Sequence, residues 1–277
     1  AAGRERIGLL QVPSSTMLGI GSGSASRLRL ATRSALRYTA NIPQTRILQQ
    51  RSRTMRAVLV AVIAGLAALG AAGLCHAEDK GAAVKLFNGK DFTGWKKYLD
   101  PKAAADPEKI WTVKDGIIIC DGSVNGYIVT DKDYEDYILK LKWRWGEKVA
   151  RGRNSGVFVH TVGPDKIWPK AVEAQLMADH AGDFWLVDEF KLEVPKAQQD
   201  PRTPRHYFRT KDKVEKPIGE WNEYVIHCPK DGTVKLYING QLVNEGKNAE
   251  LTKGKILLQS EGAEIHFKDI ELIPLKK

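Results

Sequence analysis

Between Tyr137 and Gly146 the chain alternates with a period of two. Leu139, Leu141, Trp143 and Trp145 fall on one parity, and Ile138, Lys140, Lys142 and Arg144 on the other. Only an extended segment separates side chains in that way, so this is a strand with one face in a core and a cationic face in water. Shorter runs of the same kind surround it. Ile110–Val113 and Ile117–Cys120 flank Lys114-Asp115-Gly116, and Asn239-Gly240 joins Thr233–Ile238 to Gln241–Asn244; both are hairpin signals. Tyr127–Thr130, Glu223–Cys228, Lys255–Gln259 and Glu264–Ile273 complete the series. A phase break after Phe267 predicts a bulge at Lys268-Asp269. No long segment has a helical period and no repeat of about 20–50 residues is visible, which favours an all-β sandwich over a propeller. Lys191–Phe208, rich in Pro, Gln and Arg without a period, reads as a long loop of the kind that often carries function.

The residues with chemistry concentrate between Asn154 and Leu186. Val172, Ala174 and Leu176 share one strand face, which leaves Glu173 and Gln175 together on the other. In the preceding strand Val157 and Val159 oppose Phe158 and His160, so His160 is expected on the polar side. A loop with His180, Asp183 and Trp185 follows at once. Directional polar groups on a rigid sheet beside an aromatic wall suit a sugar. Each candidate also has a plainer reading: Asn154 and Glu261 as turn residues, Glu173 as a solvent-facing acid, Trp185 as core. Trp95 reads as a cap on the sandwich end rather than a sugar platform.

Five stretches, NSGVFVHT, the E-A-Q strand, AGDFWL, GEWN and LLQSEGAEIHFKDIEL, occur in this order, after an opening LFNGKDFTGW. Together they resemble the 3-keto-disaccharide hydrolase domain family, from about Val84 to Leu275. The resemblance implies a concanavalin A-like jelly-roll β-sandwich and an enzyme acting on an oligosaccharide or glycoside.

Charge places the rest. The chain is formally +10, but residues 1–77 hold ten Arg, no Lys and a single acid, Glu5. The remainder has 33 basic and 32 acidic residues, so the basicity belongs to the leader and a nucleic-acid partner is not expected. Met55-Arg56, an apolar run from Ala57 to Leu74 and Cys75-His76-Ala77 form a signal peptide over residues 55–77. The expected organisation is a disordered leader over 1–54 outside the true reading frame, the signal, and a β domain over 78–277. That predicts a periplasmic or secreted protein with no stable membrane anchor after cleavage. Cys120 and Cys228 remain, and their spacing leaves a disulfide and two buried thiols both open. Nothing in the sequence sets the oligomeric state.

Ordinary glycoside hydrolysis uses two carboxylates flanking the bond. The E-A-Q strand carries one, so Glu261 or Asp183 would have to supply the second. The chemistry implied by the resemblance needs less. A ketone at C3 acidifies the C2 hydrogen, a base removes it, the C1 substituent leaves, and water adds to the enone. Glu173 or His160 is the candidate base and Glu261 a further catalytic acid. Gln175, Asn154 or a bound cation would stabilise the enolate, with Asp183 and Trp185 holding substrate. No metal motif is present; a divalent cation on separate loops, near Asp183 and His180, is the only cofactor the residues leave room for. A lectin-like module without turnover and a conventional β-glucanase are the alternatives on the same fold.

Overall fold

One strand belongs to both sheets of this protein. The computed structural model describes residues 80–276, and its final strand, β14 (Lys255–Pro274), pairs on both sides with different partners along its length. The other strands are β1 (Val84–Lys85), β2 (Trp95–Leu99), β3 (Trp111–Lys114), β4 (Ile117–Cys120), β5 (Gly126–Thr130), β6 (Tyr137–Asn154) and β7 (Gly156–Val162). They continue with β8 (Lys170–Gln175), β9 (Phe184–Val187), β10 (His206–Tyr207), β11 (Asn222–Cys228), β12 (Val234–Ile238) and β13 (Gln241–Gly246). A one-turn helix, α1 (Pro107–Ile110), precedes β3. From Glu261 onward β14 lies between β6 and β4 in a first sheet ordered β13-β12-β11-β6-β14-β4-β3. Over Leu257–Ser260 it lies between β7 and β5 in a second, ordered β10-β9-β8-β7-β14-β5-β2. All these pairings are antiparallel.

The strand changes sheets at Glu261-Gly262-Ala263, where the register against β6 shifts repeatedly. Gly262 has φ 97°, and a side chain there would run into the Gly152 backbone, so glycine is required at the bend.

The core follows from the alternation. Leu139, Leu141, Trp143 and Trp145 are buried between the sheets, while Lys140, Lys142 and Arg144 stay partly exposed. Trp111 and Trp143 are fully enclosed, although neither indole N–H has a protein acceptor. Burying an aromatic of that size gains about 4–6 kcal/mol. An unmade hydrogen bond costs about 1–3, so packing outweighs it. Trp95 is a buried cap, its Nε1 donating to Leu86 O at 2.7 Å. The hairpins form as expected, with Asp115-Gly116 and Asn239-Gly240 at positive φ. The register also breaks between Lys268 and Glu271, with Asp269 at φ 52°. Cys120 and Cys228 are buried free thiols, each pushed up to about 12 by burial.

Lys191–Phe208 is mostly loop, but its end forms β10 at the edge of the second sheet. Among the described residues no helix is long and apolar enough to cross a membrane. The leader and the signal segment lie outside the described residues, except that the 78–277 domain is seen over 80–276.

Candidate active site

The second sheet has an outer face, away from the core, and register fixes what stands on it. Val129, Leu257, Phe158, Glu173, Trp185 and His206 are successive cross-strand partners, forming one row across β5, β14, β7, β8, β9 and β10. Glu173 therefore sits between Phe158 and Trp185. In the next row Gln259 pairs with Tyr127, and Gly156 with Gln175. Gly156 contributes no side chain, and the Glu173 carboxylate occupies that space: a Cβ on Gly156 would collide with Glu173 Oε1 and Cγ.

Glu173, Gln175 and Gln259 line a cleft of about 120 Å³ that also includes Asn154, Trp185 and Glu261. Five of the seven sites expected from sequence thus converge: Glu173, Glu261, Gln175, Asn154 and Trp185. Glu261 arrives from the bend of β14, where it pairs with Asn154 at the end of β6. Four further lining residues were not anticipated: Trp168, Val187, Arg205 and Gln259. Trp168, 39% exposed in a Pro-flanked loop, had a signal in its exposure-prone setting. Gln259 shares the parity of Leu257 and was readable as outward-facing. Arg205 comes from the segment read as a functional loop, but nothing there singled it out. Its guanidinium lies over the Trp185 ring, 4.9 Å from the centroid.

Electrostatics separate the two acids. Glu173 is only 6% exposed; burial pushes its carboxyl well above the usual range, the Glu261 charge adds to this, and Arg205 opposes it. Glu261 is also raised by burial, while the Arg151 charge and the Gln259 amide pull the other way. Burial thus favours the protonated form at both acids, and more strongly at Glu173 than at Glu261.

The amides are oriented for a ligand. Gln175 Oε1 accepts from the backbone N–H groups of Leu176 and Met177, both at 2.9 Å, which fixes the flip and leaves its NH₂ as a donor. Asn154 Oδ1 and Gln259 Oε1 are buried without a protein partner. Polar atoms left so cost about 1–3 kcal/mol each, and sugar hydroxyls would satisfy them. A wider depression of about 650 Å³ lies beside Val194 and Leu242. Its buried amide, Asn244, is already bonded to Gln198 and to Gly182 O, so it lacks such a demand.

Two expected site residues are elsewhere. His160 is not in the cleft. β7 and β14 slip register between Lys255↔Thr161 and Leu257↔Phe158, so three residues of β7 span two of β14. The extra residue puts His160 at φ 56° and turns its ring inward, between Tyr137 and Phe190. Burial holds it down to about 4, and its Nδ1 has no protein partner. It is a core residue and not the base.

Asp183 shares the outward parity but is covered. Its Oδ2 is 2.8 Å from His206 Nε2 and its Oδ1 accepts from Arg209 N at 2.8 Å. His206, also 3.3 Å from Asp200, stacks face to face on Trp185 with centroids 4.4 Å apart. Burial alone would lower the imidazolium, but Asp183 and Asp200 overcome it and hold it above its ordinary value. Asp183 does not line the cleft; it is bonded to His206, which stacks on the lining residue Trp185. Among the described residues no group of three or more His, Cys, Asp and Glu is arranged to hold a metal ion.

Comparison with known proteins finds relatives of this chain. The profile of the 3-keto-alpha-glucoside-1,2-lyase-like domain matches residues 82–273. A Bacteroides thetaiotaomicron protein named 3-keto-disaccharide hydrolase is 28% identical over 184 residues, covering 59% of this chain and 57% of that protein. The chain thus spans little more than half the length of that curated relative. A Parabacteroides distasonis structure provisionally named a glycosyl hydrolase is 28% identical, with TM-score 0.50, covering 70% of this chain and 94% of its own. Porphyranase B of Zobellia galactanivorans, 7% identical with TM-score 0.51 over 73% and 95% of the two chains, shares the fold.

Proposed function

This chain belongs to the 3-keto-alpha-glucoside-1,2-lyase-like domain family, and from that premise we propose that it cleaves 3-keto-glycosides by elimination and hydration. The observation that carries the proposal is the pair Glu173 and Glu261 beside donor groups in one cleft.

The stronger burial of Glu173 supports the following roles. Ionised Glu261 takes the C2 proton, and its electron pair moves to the C3 ketone as an enolate. Gln175 Nε2 and Arg205 are the donors for that oxygen. The enolate collapses, the C1–O bond breaks, and Glu173 gives its proton to the departing oxygen. In the second half the roles reverse. Glu173, now ionised, takes a proton from water as it adds to C1, and Glu261 returns its proton to C2. Both carboxyls end as they began, and the sum is hydrolysis. Trp185 and Trp168 would flank the ring.

The test is one disaccharide in two forms. Monosaccharide release from the 3-keto form and none from the unoxidised form is the expected result. Equal release from both would establish ordinary glycosidase chemistry instead, and binding of either without release would establish a lectin.

A pH profile checks the roles separately. Arg151 favours the ionised form of Glu261, so Arg151→Gln lets that carboxyl keep its proton to higher pH. If Glu261 is the base, the acidic limb of the rate profile moves to higher pH, most visibly at low salt. Movement of the alkaline limb would make Glu261 the acid. Export to the periplasm or medium belongs to the same proposal, and mature protein beginning after Ala77 is the expected N-terminal sequence.

A further inference from the structure

His206 stands beside the cleft without lining it, and both of its ring nitrogens face carboxyl oxygens. Nε2 is 2.8 Å from Asp183 Oδ2 and Nδ1 is 3.3 Å from Asp200 Oδ2. The remaining oxygens accept backbone N–H groups, Asp183 Oδ1 from Arg209 at 2.8 Å and Asp200 Oδ1 from Arg202 at 2.9 Å. A neutral imidazole has one N–H and serves one acceptor, so two acceptors require the imidazolium. That cationic ring lies on the Trp185 indole, with planes 13° apart and centroids 4.4 Å apart, and it is drawn to the electron-rich face of the indole. β10 itself is only His206-Tyr207, and a strand of two residues has little pairing with which to fix Trp185.

The other charged or titratable groups around the clamp have partners of their own. His180 Nδ1 is 3.2 Å from the Asp183 oxygen that His206 uses, and Arg202 Nε is 3.6 Å from Asp200 Oδ1. The Arg209 guanidinium donates to Glu215 Oε1 at 2.8 Å. Tyr224 of β11, itself buried, is within range of the Asp183 charge. Arg205 lies over the Trp185 ring, so the indole carries two cations. Burial lowers the His206 pKa, but Asp183 and Asp200 together raise it above the ordinary 6.5. The clamp is therefore complete below that raised value and is lost as pH climbs through it.

We propose that the His206 imidazolium is a positioning residue: clamped by Asp183 and Asp200, it holds Trp185 as the face on which the sugar stacks. The proposal rests on the carbohydrate reading of the cleft, and its test uses binding, not turnover. The disaccharide of the cleavage assay, in its 3-keto and unoxidised forms, is titrated calorimetrically into Glu173→Gln protein from neutral to alkaline pH. That background removes the titration of Glu173 itself. Affinity for at least one form should fall by about threefold to tenfold as pH rises, the worth of one aromatic stack. Adding Asp200→Asn keeps the shape but removes one charge, and the step should move to lower pH. His180 faces Asp183 and not Asp200, so that movement assigns the step to His206. Adding His206→Gln should abolish the step and leave affinity at its alkaline level. No step, a step that Asp200→Asn leaves in place, full affinity in the His206→Gln protein, or no binding of either form would overturn the clamp. Failure of the cleavage proposal reads out elsewhere, as absent turnover of the 3-keto form by a wild type that still binds it.

Discussion

Glu173→Gln should lower turnover of a 3-keto-glycoside by about 10²–10⁴-fold with little change in sugar affinity. Glutamine keeps the size and the hydrogen-bonding outline of the side chain but has no proton to exchange near neutral pH. General acid–base assistance is typically worth about that factor, roughly 3–5.5 kcal/mol of barrier at about 1.4 kcal/mol per decade. The same change should make the protein more stable. The folded-state pKa of Glu173 is raised, so the stability associated with its proton is full below the unfolded value, near the ordinary 4.5. It is lost as pH climbs toward the folded value, because burying the ionised form is unfavourable. Glutamine suffers no such loss. The melting temperature of the variant should therefore exceed that of the wild type by a margin that widens from pH 4 to pH 8. Retained turnover would remove Glu173 from the chemistry; a margin that narrows with pH would contradict the burial argument.

Gly156→Ala should cost about 10²-fold in turnover, the scale expected when a catalytic group is displaced by about 1 Å. The strand backbone at Gly156 is not in the left-handed region, so alanine fits it and reduces the freedom of the unfolded chain. The cost falls on the neighbour. The new methyl group claims the space of the Glu173 side chain from Cγ to Oε1, so the whole side chain must swing away. Folding should survive with a small change in melting temperature, while the rate falls. Unchanged turnover in a soluble variant would show that the carboxylate can work from another position. Because Glu173 remains ionisable, the pH profile persists at the lower rate, unlike that of Glu173→Gln.

The parts of this site that were readable from sequence are those that obey simple parity. Glu173 and Gln175 alternate with Val172, Ala174 and Leu176, and the sheet places both outward beside each other. The five motifs brought Asn154, Trp185 and Glu261 with them. Parity failed at His160, because a single extra residue in β7 reverses which side chain faces the cleft, and no turn residue marks the slip. It misled at Asp183 in another way: the parity was right, but His206, 23 positions later, covers the carboxylate. Arg205 was beyond reach for the same reason. Its position depends on β10 pairing with β9, two residues long and without a pattern of its own. The hairpins at Asp115-Gly116 and Asn239-Gly240 were legible because their turns are local; the sheet order was not, since most pairings join distant segments.

The shared strand has a kinetic consequence. β14 is the last strand of the domain, yet it lies inside both sheets, between β7 and β5 in one and between β6 and β4 in the other. On a ribosome that adds about 5–20 residues per second, neither sheet can be completed until β14 emerges. Until then each sheet can form only in pieces, β7 to β10 apart from β2 with β5, and β6 with β11 to β13 apart from β3 with β4, and the long-range pairing that joins them is intrinsically slow. Delivery of one strand then closes both halves of the sandwich and brings Gln259 and Glu261 to Glu173 in the same event. A nascent chain of this fold can gather Glu173, Gln175, Trp185 and Arg205 on β8 to β10 early, but the cleft is completed only when β14 closes the sandwich.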